Sequence, residues 1–394
     1  MSEPRPIHPP VRIHLERISD ATGIFQHAAG SAPDPAHGYC TDDVARALQV
    51  DLLQATRLGW EAVADSAWRN LRVLQAAFDP EAGWFRNFRS TEGAWAPEPA
   101  SDDCQGRAIH ALGDAVVAPF DTDHAAAART LFRSALPAAR RLEAPRAIAS
   151  VVLGTGAVVR AGGSASVTAT YRRLARRLAA VLGAGVAEHG GPDWPWPEPV
   201  VTYENALLPR ALIVAGAALH EDRMRRHGLA MLDWLIAEQT AADGHLSPVG
   251  NTWWARGGPR GRFDQQPIEA TSLLAAAQAA FEVTGDTRYR DAGERAYAWF
   301  LGANDVGIAV ADPARGACCD GLTPKGVNHN QGAESTLMWL NAVERIGQVR
   351  AAADALARDA RRSSPRGASR VAADGGTRSN RPVVALRLLP VPSA

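Results

Sequence analysis

Apolar residues recur along this chain every three or four positions over most of its length, the period of helices. Alternating runs of the strand type are few, and "PVVTY" and "VGIAV" are the ones that predict short strands. The helical segments fall into two kinds. One kind is rich in Ala and Leu and carries few charges after its first turn. It comprises "TDDVARALQVDLL" from Thr41, "SDDCQGRAIHALG" from Ser101, "APRAIASVVLG" from Ala144, "TYENALLPRALIVAGAAL" from Thr202, "QPIEATSLLAAAQAAF" from Gln266 and "GAESTLMWLNAV" from Gly332. Four of these contain Arg-Ala-Leu or Arg-Ala-Ile, opened by Arg46, Arg107, Arg146 and Arg210. The other kind is amphipathic and Arg-rich: "SAWRNLRVLQAAF", "AAARTLFRSALPAARRL", "TYRRLARRLAAVL", "EDRMRRHGLAMLDWLIAEQ" and "RYRDAGERAYAWFLG".

The two kinds alternate. A helix apolar nearly all round is buried, and one with a charged stripe faces water. The repeat interval is uneven, roughly 40 to 65 residues, which is not a solenoid register. Six buried helices alternating with five outer ones predict an all-α (α/α)6 toroid. The N-terminal "ERISDATGIFQHA" is the expected sixth outer helix, closing the circle. One domain over residues 1–350 follows, with 1–11 flexible. After Arg350 the chain turns Arg/Ser/Gly/Ala-rich and loses its aromatics, so 351–394 reads as a mostly disordered tail.

Composition excludes more than it suggests. Lys+Arg and Asp+Glu are both 42, so the formal net charge is zero and neither nucleic acid nor an anionic membrane is an expected partner. No run approaches the roughly 18 apolar residues of a membrane span. The N-terminal stretch lacks the apolar core of a signal peptide, so a cytoplasmic protein is expected. Cys40, Cys104, Cys318 and Cys319 make no CxxC pattern. His37, His110, His189, His245 and His329 are scattered, with no H-x-x-x-H pair for zinc. There is no P-loop, no G-x-G-x-x-G and no G-x-S-x-G. No cofactor and no metal are therefore expected, calcium held by the Asp pairs being the alternative.

The chemistry gathers at the starts of the buried helices. Asp42 and Asp43 follow Thr41, and Asp102 and Asp103 follow Ser101. Glu204 follows Thr202-Tyr203, Glu269 follows "FDQQPI" with Asp264 before it, and Asp320 and Glu334 frame the last helix start. First-turn carboxylates suit the helix dipole, with Thr41 as cap and with Asp42–Arg46 and Asp103–Arg107 four residues apart. Yet parallel inner helices would bring all these acids to one face. Crowded carboxylates raise one another's pKa, which keeps an acid protonated near neutral pH. Two carboxyls across a sugar cleft suffice for glycoside hydrolysis. Six of the 11 Trp (Trp84, Trp95, Trp194, Trp196, Trp253 and Trp254) lie in loops, where they can stack on sugars or pack on one another.

"HGYCTDDVARAL", "SDDCQGRAIHALG", "WPWPEPVVTYENALLPRALI", "FDQQPIEATSLLAAA" and "CCDGLTPKGVNHNQGAESTLMWL" together resemble a bacterial family of six-hairpin, (α/α)6 glycosidase-like proteins. Members often accompany or are fused to GT-B glycosyltransferases. The resemblance spans roughly residues 12 to 348 and implies a carbohydrate substrate and an association with a glycosyltransferase. Val44 stands where the family usually has Asn, and Asp102 where it has Glu. More distantly, the layout is similar to inverting glycosidases, unsaturated glucuronyl hydrolases and sugar 2-epimerases.

The expected function is hydrolysis of a bacterial oligosaccharide or polysaccharide, with an inverting outcome. Asp43 and Asp103 are the expected acid/base carboxyls and Glu204 and Glu269 the opposing ones. His37, Tyr39, Arg107, Trp194, Trp196, Asp264, Gln266, Asp320, Asn330 and Glu334 are expected to line the substrate pocket. A sugar epimerase would need His37 or His329 in the cleft. A polysaccharide lyase would use Tyr203 or Tyr39 as base, with a cation or an Arg for the uronate. A non-catalytic sugar-binding partner would keep the Trp loops without needing the acids.

Overall fold

The computed structural model describes residues 5–97 and 101–363. These form twelve α-helices and a few short strands. Six helices make the inner ring: α2 (Thr41–Leu58), α4 (Asp102–Val117), α6 (Pro145–Arg160), α8 (Leu207–Ala218), α10 (Pro267–Thr284) and α12 (Ala333–Ser363). Each packs on the next, and α12 closes back onto α2. Five outer helices, α3 (Ala64–Ala77), α5 (Thr122–Ala135), α7 (Ala165–His189), α9 (Asp222–Glu238) and α11 (Thr287–Phe300), each cover the inner helix beside them in sequence. The chain is thus the (α/α)6 toroid that the alternation predicts. The pattern holds because the Ala-rich helices can approach one another closely. A methyl group at Gly113 of α4 would stand 2.4 Å from the Gly154 carbonyl oxygen of α6, so this pair meets backbone to backbone.

The sixth outer position differs from expectation. Only Ile13–Arg17 is helical there (α1), packed on α12. The Asp20 carboxylate accepts from the Thr22 and Gly23 amides and turns the chain. The rest of "ERISDATGIFQHA" then enters β1 (Phe25–Ala29), which pairs antiparallel with β2 (Ala32–Cys40). β2 in turn pairs with β3 (Phe88–Arg89). This sheet leads directly into α2. "PVVTY" yields a two-residue strand, Val200–Val201, and "VGIAV" forms none.

The boundary expected at Arg350 falls inside α12, which runs on to Ser363 because its Ala-rich repeat continues. The remainder of the expected tail, 364–394, lies outside the described residues, as do 1–4. Residues 5–8 are hydrogen-bonded to the ring: Tyr297 Oη donates to the Pro6 carbonyl at 3.1 Å, and Arg350 donates to that of Arg5 at 2.7 Å. Among the described residues no helix is long and apolar enough to cross a membrane.

Candidate active site

The inner helices start at one end of the ring, and there a cavity of about 460 Å³ opens. Asp42, Asp43 and Arg46 of α2 line it with Asp103 and Arg107 of α4. Tyr203, Gln266, Ile268, Glu334 and Ser335 add the starts of α8, α10 and α12. Loops and the first sheet complete the wall with Gln26, His27, Cys40, Phe88, Asn251, Trp253, Asp320 and Gly332. A larger groove of about 810 Å³ lies on the outer ring between α7 and α9, away from these acids.

Two arginines from the repeated Arg-Ala word organise the carboxyls. Arg46 donates to Asp43 at 2.9 Å and bridges to Glu334 at 2.8 Å, tying α2 to α12. Arg107 reaches Asp42 at 3.2 Å, Asp103 at 3.6 Å and Glu204 at 2.8 Å, tying α4 to α2 and to the loop before α8. The pairing therefore differs from the expected Asp42–Arg46: Asp43 is the acid that turns towards Arg46, and Asp42 faces Arg107. A third such arginine, Arg146, holds the loop before α8 through Glu198 (2.7 and 2.9 Å), the Tyr203 carbonyl (2.6 Å) and Asn205 (3.2 Å). The second acid pair divides its work. Asp102 accepts from the Glu143 and Ala144 amides at 2.6 and 2.8 Å, joining α4 to the start of α6, so it serves the fold. Thr41 is not a cap, because its hydroxyl donates to the Arg86 carbonyl at 2.7 Å.

Asp43 is 3% exposed, and burial pushes its carboxyl up to about 7 against the opposing pull of Arg46. Asp103 accepts the Tyr203 hydroxyl at 2.6 Å on Oδ2, and its Oδ1 has no hydrogen-bond partner among the described residues. Asp320 accepts from Ser335 Oγ at 2.5 Å and the Gly332 amide at 2.9 Å, with burial raising its pKa.

Glu204 and Glu269 stand one layer behind the wall. Burial would raise Glu204, but Arg107 and Arg46 bring it below the usual carboxylate range. Glu269 is 4% exposed and is pushed by burial up to about 7. It accepts from the backbone amide of Glu204 and from Asn205 Nδ2 at 3.0 Å. Glu204 has a φ of 44°, a left-handed conformation that costs a non-glycine residue about 1–3 kcal/mol unless its surroundings fix it. Glu269 supplies that fixing and so sets where Glu204 meets Arg107.

Of the expected pocket residues, Arg107, Gln266, Asp320 and Glu334 line the cavity and the others do not. Trp194 and Trp196 are buried at 3% and 0%, packed with Trp234 and Trp254 in a four-Trp cluster. Their apolar area is spent on the core rather than on a ligand. Tyr39 is buried too, donating to Asp20 at 2.6 Å and stacking on Phe25. His37 is an exposed residue whose ring meets His27 edge-on at 4.6 Å. Asn330 accepts the Gly30 amide, and exposed Asp264 uses its carbonyl to accept the Asn251 amide. His329 lies outside the cavity wall. Sequence reasoning missed His27, Phe88 and Asn251, for which no motif stood out, and did not single out Trp253 among the loop tryptophans. Among the described residues no group of three or more His, Cys, Asp or Glu is arranged to hold a metal.

Neither a protein-family model nor a curated protein sequence matches the chain. Solved structures do match in shape. A sugar epimerase from a ruminal bacterium aligns over 85% of this chain and 95% of its own, with a TM-score of 0.66 at 12% identity. Its fold is that of the six-hairpin glycosidases. A cellobiose 2-epimerase from Bacillus thermoamylovorans aligns over 87% and 96%, with a TM-score of 0.66 at 11% identity. A GH76 α-mannanase from Bacteroides thetaiotaomicron aligns over 80% and 88%, with a TM-score of 0.57 at 11% identity. The fold thus hosts both hydrolases and epimerases, and the distinction rests on the site.

Proposed function

We propose that the protein is a glycoside hydrolase. The observation that carries this reading is Asp43, a cavity-wall carboxyl held near pKa 7 by burial. Such a group is partly protonated near neutral pH, and its protonated form can give the proton to the glycosidic oxygen as the C–O bond breaks. Asp103 is the counter-carboxylate: Tyr203 and Arg107 position its Oδ2, and this carboxyl on the cavity wall would take a proton from the attacking water. An inverting outcome goes with this division of roles. The GH76 α-mannanase, alike in fold, is consistent with hydrolytic chemistry on this scaffold.

The test is release of reducing ends from neutral gluco- and manno-oligosaccharides. Asp43→Asn and Asp103→Asn should each lower turnover by about 10²–10⁴, the usual worth of a positioned proton-transfer group. Full turnover in both variants would sink the reading. A sugar epimerase is the second reading, favoured by His27 in the cavity and by the epimerases of the same fold. Incubation in D₂O separates the two, since an epimerase breaks the C2–H bond of the reducing sugar and returns deuterium from solvent there, while the glycosidic bond stays intact. A lyase is less supported. The Tyr203 hydroxyl is held by Asp103, and burial followed by that bond raises its pKa and retains its proton. We further propose that the protein works with a glycosyltransferase, supported by the resemblance of its five motifs; co-purification with such an enzyme would test it.

A further inference from the structure

Among the Phe, Tyr and Trp side chains of the described residues, only Phe88 and Trp253 are exposed, at 44% and 45%, and both line the same cavity. The remaining aromatics are buried or half-buried, so this pair is not a sample of a generally aromatic surface. Neither side chain sits on a loose loop. Phe88 belongs to β3, opposite Cys40 of β2, and its carbonyl accepts the Ala96 amide at 2.8 Å. Trp253 has a φ of 62°, a conformation that a bulky side chain rarely adopts. It is held there by hydrogen bonds from its amide to the Gly250 carbonyl and from the Gly261 amide to its own carbonyl, both 2.9 Å. The Gly250 amide also donates to the Gly261 carbonyl at 2.7 Å, and a methyl group at Gly250 would stand 1.7 Å from the Phe263 oxygen. The loop backbone is thus pinned on both sides of Trp253, and its indole, largely exposed, lines the cavity that holds the carboxyls.

We infer that Phe88 and Trp253 form an aromatic subsite at the cavity mouth that stacks on a second pyranose ring of the substrate, outside the ring that meets Asp43. This inference rests on the proposed sugar-processing site and specifies its substrate as an oligosaccharide rather than a free monosaccharide. The wall charge specifies it further. Asp42, Asp43, Asp103, Asp320 and Glu334 contribute five carboxyls, whereas Arg46 and Arg107 are already ion-paired. An anionic sugar finds no free guanidinium there, so the chain bound carries no carboxylates.

Calorimetric binding to the protein carrying Asp43→Asn, which is expected to slow turnover, tests this with mannohexaose, maltohexaose and cellohexaose, each beside its monosaccharide. At least one hexasaccharide should bind at least tenfold tighter than its monosaccharide. Trp253→Ala with Phe88→Ala should remove about tenfold of that advantage, the scale of a well-formed aromatic contact. Trp253→Phe should retain most of it, and thermal melts should stay in place. Lack of binding by all three hexasaccharides overturns the inference, as does a length advantage that survives the double variant. Tighter binding of a hexagalacturonate than of the neutral chains also overturns it. Binding with the expected length dependence, alongside a wild type that cleaves nothing, keeps the subsite and rejects the hydrolase instead.

Discussion

Replacing Asp43 by Asn isolates the cost of the buried carboxyl that the proposed chemistry needs. Burial moves this group from 3.8 to about 7. Holding it ionised in the fold therefore costs about 4 kcal/mol relative to the unfolded chain. The direction follows from the protons bound. Below 3.8 the group is protonated in both states, and its full stability is present. As pH rises from there to about 7, the unfolded chain releases the proton while the fold keeps it, so stability falls, and above about 7 the loss is complete. Some 2–3 kcal/mol of the loss falls between pH 5 and pH 8. Asn has no proton to lose. Whatever the amide does to the Arg46 hydrogen bond is the same at both pH values and cancels when the two are compared. Glu269 titrates in the same window but is present in both proteins, so it cancels as well. Calorimetric melts of wild type and Asp43→Asn at pH 5 and pH 8 give the result. The variant should gain about 2–3 kcal/mol relative to wild type on going from pH 5 to pH 8. A stability difference that does not change with pH would mean that Asp43 ionises like any surface acid, and the proton-donor role would lose its support.

Arg107→Met leaves Asp42, Asp103 and Glu204 without their shared cation, so we expect a loss of about 3 kcal/mol in thermal stability along with any turnover. Trp194→Ala should cost about 3–5 kcal/mol by opening the four-Trp cluster, while oligosaccharide affinity measured by calorimetry stays unchanged. Gly113→Ala should lower stability by about 1–3 kcal/mol, because the methyl meets the α6 backbone. Gly183→Ala, on the open face of α7 with nothing within 4 Å, should instead raise it by about 0.5–1 kcal/mol in the same melts.

By itself the sequence determined the ring. Apolar character on all sides for six helices and a charged stripe on five leaves few ways to bury the first set, and the (α/α)6 toroid is one that closes. It also determined where the acids gather, because residues at the starts of parallel helices share a face whatever the details. The repeated Arg-Ala word was visible too, although its meaning was not. Only the tertiary structure decided that Arg46 takes Asp43 and Glu334 while Arg107 takes Asp42, Asp103 and Glu204. First-turn acids three and four residues before an arginine are equally good partners in sequence, and the neighbouring helix breaks the tie. The tryptophans show the same limit. Trp194, Trp196, Trp253 and Trp254 look alike as loop residues, yet three pack together and the left-handed backbone turns Trp253 outwards. Local pattern fixes which face of an element is buried, because that depends on periodicity alone. Which side chain reaches a cavity depends on the direction of loops that are positioned by tertiary contacts such as Gly250–Gly261 beside Trp253 and Glu269–Glu204 from another helix.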